Sequence, residues 1–375
     1  MLLWGKQWSR NDLKARIGAL SQLGGITRFE YADGKAKGVS ALRVQTAAGL
    51  QFTVLPEKGL DIFESFYHGK SLCWHSPAGV VHPSYYDARD LQWLKTFAGG
   101  LLTTCGCSAA GPPSVDEGEQ CGLHGSFSNT PAEQVSWKEE WQDDELVLSI
   151  SGRVRESRVF GPNLVVHRTI QTTLAGRSLT VTDEVENDGA VAAPLMYIYH
   201  CNFGFPLLDN HSRIYSSSRA VTPRTEFAAT HAQSWSSFEP PSAGIDERVY
   251  FHEMETDKAG QVHILLVSDD AARDFAIEIT YPKATLPHFI EWKMTGAQHY
   301  VLGLEPANCR LGGRKSERES GTLRFLEPGG KERLQVTLRV LDGLSEVREA
   351  IESSISRAES GDVRTSNQTG LDKEC

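Results

Sequence analysis

The sequence predicts an all-β protein, a large antiparallel β-sandwich with a C-terminal helix. Three observations carry this: recurrent period-two alternation of apolar and polar residues, glycine- and proline-rich turns between those runs, and scarce helical periodicity. Leu179, Val181 and Val185 alternate with Thr180, Thr182, Glu184 and Glu186, Phe275, Ile277, Ile279 and Tyr281 with Ala276, Glu278 and Thr280, and Leu334, Val336, Leu338 and Val340 with Gln335, Thr337 and Arg339. Successive strand side chains point to opposite faces, so each run buries one side and wets the other. Ala175-Gly176-Arg177, Asn187-Asp188-Gly189 and Glu327-Pro328-Gly329-Gly330 provide the turns, with Gly supplying positive φ and Pro a preset φ. Antiparallel hairpins follow.

Helical spacing is confined to a turn near Asp90 to Phe97 and to a stretch where Leu344, Val347, Ile351 and Ile355 share one face. That stretch is expected to pack on the sandwich as a lid or an edge cover. Beyond Arg357 almost nothing is apolar, too little to offset the entropy of ordering. The expected organisation is therefore one domain over residues 1–357 and a disordered polar tail over 358–375. A chain of 375 residues is long for one core, yet β-sandwiches run long, and no linker or fixed-period repeat divides this one.

Composition narrows the function. Hydrophobic residues at 40% and charged residues at 23% suit a globular protein with a substantial core. A net charge of -10 with no separate basic cluster argues against nucleic acid or an acidic membrane surface as partner. No stretch reaches transmembrane length, and the start lacks the apolar core of a signal peptide. Seven scattered cysteines, an odd number, do not form a secreted disulfide framework. A reduced, cytoplasmic protein is expected.

Three segments combine glycine, a polar side chain and an apolar flank. In Cys121-Gly122-Leu123-His124-Gly125, downstream of Phe97-Ala98-Gly99-Gly100-Leu101-Leu102, the glycines leave room for close backbone approach and the imidazole can donate and accept; the plain alternative is a turn histidine. The apolar strand Pro194 to Pro206 carries His200 and Asn202 two apart, hence on one face, against the alternative of a buried histidine bonded to backbone. In Tyr300 to Cys309, Glu305 ends an apolar run and precedes Pro306, which holds it extended at the rim of the sheet, where desolvation makes a carboxylate more basic. Taken singly, a surface glutamate is the simpler reading.

Other chemistries fit less well. Cys105, Cys107, Cys121 and His124 are near one another, but a single residue between the first two is poor zinc spacing, so no metal is expected. There is no nucleophile elbow, no Cys-His pair with family-specific surroundings and no phosphate-cradling glycine motif.

Taken together, Leu55-Pro56-Glu57-Lys58-Gly59-Leu60-Asp61-Ile62, Gly99-Gly100-Leu101-Leu102, Gly122-Leu123-His124-Gly125, Tyr199-His200-Cys201-Asn202-Phe203-Gly204 and Gly303-Leu304-Glu305-Pro306 resemble the aldose 1-epimerase, or galactose mutarotase-like, superfamily, in particular an uncharacterised DUF4432-like branch. The resemblance spans most of the chain and keeps the family's motif order. It implies a supersandwich with a carbohydrate cleft, a small-molecule sugar as partner and no cofactor. It also implies His200 as general acid, Glu305 as general base and His124 as sugar contact, together opening and reclosing a sugar ring. Asn202 and Asp61 are candidates to hold hydroxyls, Trp292 to offer an aromatic face, and His252 to make a further contact. Asp61 could equally organise a turn, and Trp292 could be core. Two departures, Cys201-Asn202-Phe203-Gly204 in place of a Tyr-Phe-Asn ending and Lys58 in place of arginine, leave the substrate open. Rival readings are a sugar-binding module without catalysis, and a lyase or isomerase acting on an acidic or oxidised sugar.

Overall fold

A computed structural model of the chain describes residues 1–358 and 364–365, so most of the expected tail lies outside the described residues. The three alternating runs become the strands Ser178–Asn187, Phe275–Pro282 and Lys331–Asp342, which lie side by side. Val181 is opposite Val336, and Ile279 is opposite Leu338, so the apolar positions of neighbouring strands share a face. They form the middle of an eight-stranded sheet whose other strands are Glu133–Gln142, Glu145–Ser157, Asn163–Thr173, Gln261–Val267 and Arg213–Ser216.

A seven-stranded sheet faces it. Its order is 364–365, Ser218–Pro223, Arg248–Met254, His288–Gly296, His299–Ala307, Met196–Phe203 and Thr103–Cys107. Val181, Ile279 and Val336 from the first sheet share one core with Tyr199, Phe203, Phe289 and Leu302 from the second. Burying each such side chain is worth roughly 1.5–3 kcal/mol, which makes the contact between the sheets the main source of stability. A five-stranded sheet from the N-terminal part of the chain, Gly25–Glu30 to Lys70–Ser71, adds Leu42, Phe52 and Ile62 to the same core.

The C-terminal helix spans Leu344–Ala358. Val347 and Ile351 are buried against Leu265, Val267, Ala276 and Leu341, on the outer side of the eight-stranded sheet, while Leu344 is largely off the contact. Of the two expected roles it takes that of a cover. The turn near Asp90 to Phe97 is a short 3-10 helix, Gln92–Lys95. Among the described residues no helix is long and apolar enough to cross a membrane.

Candidate active site

Strand Met196–Phe203 is buried at every position because both its faces are covered. Tyr197, Tyr199, Cys201 and Phe203 enter the core between the sheets. Met196 and Ile198 point the other way and join Trp93, Phe97, Val249 and Ile290 in a second cluster on the outer face. By alternation His200 and Asn202 lie on this outer face.

The next strand, His299–Ala307, pairs with it at Ile198–Ala307 and again at Cys201–Leu304. That register sets His200 opposite Glu305, and the ladder is interrupted there, where Pro306 has no N–H to give. The His200 Nε2 to Glu305 Oε1 distance is 3.2 Å, with the residues 5% and 2% exposed. The expected place of Glu305 at the sheet's rim is therefore corrected: the strand continues through Pro306 to Ala307, and Ile290 pairs with Glu305 on its other side. Space for the carboxylate comes from Gly303, where an added Cβ would stand 2.7 Å from Glu305 Oε1 and 3.1 Å from the Cβ of Trp292.

Desolvation dominates the electrostatics. Burial raises the Glu305 carboxyl to about 8, assisted by the Glu247 carboxylate and opposed by Arg224. Burial lowers His200 to about 4, against the opposing effect of the Asn202 side chain. At neutral pH the proton therefore resides on Glu305, with His200 neutral. This is the reverse of the expected starting distribution, though the two are tautomers across one 3.2 Å contact.

His124 arrives from a loop, with a left-handed φ of 58°. Its glycine neighbours are required by the protein's own backbone: a Cβ at Gly122 would be 2.1 Å from the Ala88 carbonyl oxygen, and one at Gly125 2.4 Å from that of Ala109. The His124 ring stands edge-on to His200, centroids 5.8 Å apart, with Trp93 at 4.9 Å on another side. Burial, with His200 and Arg224, lowers it to about 3, so it is a neutral donor and acceptor. Trp292 closes the opposite side, its ring 5.4 Å from His200, and its indole N–H donates to Glu247 Oε2 at 2.7 Å. Asn202 donates to the carbonyls of Gly100 and His200. Three buried polar atoms here, His124 Nδ1, His200 Nδ1 and Asn202 Oδ1, have no hydrogen-bond partner.

His124, His200, Asn202, Trp292 and Glu305 are thus brought together, whereas Asp61 and His252 are not. The Asp61 carboxylate accepts from the Thr104 N–H and hydroxyl and pairs with Arg168 at 2.9 Å, between the sheets. Arg168 also holds Asp183 through two bonds of 2.8 Å, and Asp183 accepts from the hydroxyls of Tyr197 and Tyr199. Asp61 fastens strands of different sheets. His252 pairs with Phe289 across the ladder, so it is on the inner face, where its Nε2 lies 3.2 Å from Glu291 Oε2 and its Nδ1 2.8 Å from Ser218 Oγ.

Sequence reasoning missed Arg224 and Glu247, whose charges act on Glu305. Neither carries a local motif; only the pairing of distant strands brings them to this face. The six cysteines among the described residues are buried free thiols, and burial raises Cys105 and Cys107 well above the ordinary thiol range.

Comparison with known proteins agrees with this architecture. The family described as a domain of unknown function, DUF4432, matches residues 36–340, and the chain belongs to it. Among solved structures, a protein provisionally described as an aldose 1-epimerase from Klebsiella pneumoniae is similar with a TM-score of 0.88 at 24% identity, covering 93% of this chain and 91% of the other. A galactose mutarotase-like protein from Clostridium acetobutylicum gives 0.55 at 13% identity, over 85% and 99% of the two chains. The galactose 1-epimerase from Lactobacillus acidophilus gives 0.54 at 11%, also over 85% and 99%. At these identities the likeness establishes a galactose mutarotase-like fold. No curated protein matches the sequence.

Proposed function

We propose that the protein is an aldose 1-epimerase-like isomerase, interconverting the α and β anomers of a free sugar by acid-base ring opening and reclosure. One observation carries the proposal: His200 and Glu305 form a buried pair at 3.2 Å, while nearby buried polar atoms lack partners. Ring opening needs a base for the anomeric hydroxyl proton and an acid for the ring oxygen; reclosure on the other face of the carbonyl needs the same two groups in exchanged roles. The pair holds one transferable proton and one free acceptor, which is what the reaction consumes and returns.

Before a sugar binds, burial keeps the pair uncharged. The hydroxyls of an entering sugar supply hydrogen bonds that an ionised pair requires, and the proton then passes from Glu305 to His200 along their contact. Glu305 as carboxylate takes the anomeric proton, protonated His200 gives one to the ring oxygen, and the bond from C1 to that oxygen breaks. Each positioned group is worth roughly 10²- to 10⁴-fold, enough for a reaction that already proceeds in water. His124 and Asn202 hold hydroxyls with their unpartnered atoms, and Trp292 packs on the apolar side of the ring. Exchange NMR of anomers across a sugar panel tests the reading. Exchange faster than buffer for at least one sugar supports it; binding of sugars with exchange no faster than buffer supports the binding-module alternative instead.

A further inference from the structure

We infer that the sugar handled at this site carries an anionic group, a carboxylate or a phosphate, received by Arg224. The inference deepens the acid-base reading above and rests on it. Strand Ser218–Pro223 pairs with Arg248–Met254 so that Pro223 is opposite Tyr250, and the N–H of Arg224 donates to the Val249 carbonyl at 2.9 Å. Arg224 is therefore opposite Val249. Val249 pairs with Trp292, Trp292 with Gly303 and Gly303 with Asn202. Residues opposite one another on antiparallel strands share a face, so a single row runs across the sheet from Arg224 through Val249 and Trp292 to Asn202, beside the row that holds Glu305 and His200.

Arg224 is partly buried at this face, and its charge acts on both Glu305 and His124. Among the described residues its side chain makes no ion pair or hydrogen bond. The neighbouring arginines differ: Arg219 pairs with Glu253, and Arg248, on the opposite face of the sheet, bonds Glu239 and Thr295 through Nη2. The nearby Glu247 carboxylate is occupied by the indole N–H of Trp292. An uncommitted guanidinium offers a planar fork that fits a carboxylate or phosphate through two parallel bonds, a geometry a lone sugar hydroxyl cannot use. Because the chain has a net charge of -10, an anionic substrate needs such a local cation to be held.

The test compares glucose, galactose and mannose with their uronates and their 6-phosphates, using wild type, Arg224→Gln and Arg224→Lys. Anomer exchange gives kcat/KM, and ligand-observed NMR titration gives binding separately. At least one anionic series should exceed its neutral parent by about 10- to 100-fold, the size of one charge-assisted contact. Arg224→Gln should bring that ratio near unity, chiefly through KM, and Arg224→Lys should retain part of it. Which series wins separates carboxylate from phosphate. Neutral sugars matching both anions, or a preference that survives Arg224→Gln, would overturn the role of Arg224 while leaving the acid-base reading intact. Anion binding that depends on Arg224 without faster exchange would do the opposite. No binding of any anionic sugar also overturns the inference.

Discussion

Two histidine-glutamate pairs sit on opposite faces of one sheet, and they differ in what surrounds them rather than in their own geometry. His200 and Glu305 face outward at 3.2 Å; His252 and Glu291 face inward, also at 3.2 Å. The inner histidine has both nitrogens engaged, by Glu291 and Ser218, and is enclosed by Trp235 and Phe289 at 5.1 and 5.2 Å. The outer histidine leaves Nδ1 without a partner, as do His124 Nδ1 and Asn202 Oδ1 close by. Unmet polar atoms in a buried site cost roughly 1–3 kcal/mol each, a cost a structural cluster avoids and a ligand-binding one recovers on binding. The inner pair is not perfectly satisfied, since Glu291 Oε1 is also unpartnered, but its two side chains are wholly buried, whereas those of His200 and Glu305 are 6% and 2% exposed. Possession of a close His-Glu pair therefore does not by itself mark an acid-base centre; the proposed role of the outer pair rests on the unmet polar atoms gathered around it.

The contrast breaks first at the carboxylates. Glu305→Gln should cost roughly 10²- to 10⁴-fold in anomer exchange with the fold intact, whereas Glu291→Gln should keep exchange within a few-fold of wild type, both read by exchange NMR and circular dichroism. Next is the polar network between the sheets. Replacing Arg168 with Met strands the Asp183 carboxylate, and chemical denaturation should show a loss of about 3–5 kcal/mol or failure to fold. Gly303→Ala forces a Cβ against Glu305 Oε1, and a displacement of that order should lower exchange by about 10²-fold while thermal stability changes little.

The titration of the pair gives a further distinction. Glu305 is raised to about 8 from an ordinary 4.5, so the native state holds its proton when the unfolded state has lost it. Stability from this group is fully present below about pH 4.5, declines as pH rises and is lost above about 8. His124 and His200, lowered to about 3 and about 4, act oppositely: their contribution is present above the ordinary 6.5 and is lost as pH falls through those values. Glu305→Gln should therefore gain in melting temperature over wild type as pH goes from 5 to 8, and then level off. The smallest effect is expected at the inner pair's support: Ser218→Ala should cost about 1 kcal/mol without altering exchange.

Much of this fold was legible in the sequence because one-sided strands announce themselves. The run from Leu179 to Glu186 alternates, and it is a strand with Val181 and Val185 in the core. Asp183 falls on the apolar parity of that strand, and Arg168 falls on the apolar parity of its own, with Leu164, Val166 and Ile170, so two misplaced charges were local signs of the network between them. His200 and Asn202 were placed on one face correctly, since spacing of two needs no tertiary information. Position within the sheet was not legible. Glu305 before a proline reads as a strand end, yet neighbouring strands on both sides carry it into the interior. His252 shares its strand with Val249, but odd and even positions face opposite ways, and only the cross-strand register shows which side is outward. Arg224 is linked to Asn202 through four successive strand pairings, a relation that no window of sequence contains.

The most direct test of the central claim is exchange NMR on the sugar panel with wild type, Glu305→Gln and Glu291→Gln in parallel. The outer pair as acid-base centre requires wild type and Glu291→Gln to accelerate anomer exchange of at least one sugar and Glu305→Gln to bind that sugar without doing so. Equal acceleration by Glu305→Gln, or its loss on changing Glu291 in a folded protein, would contradict it.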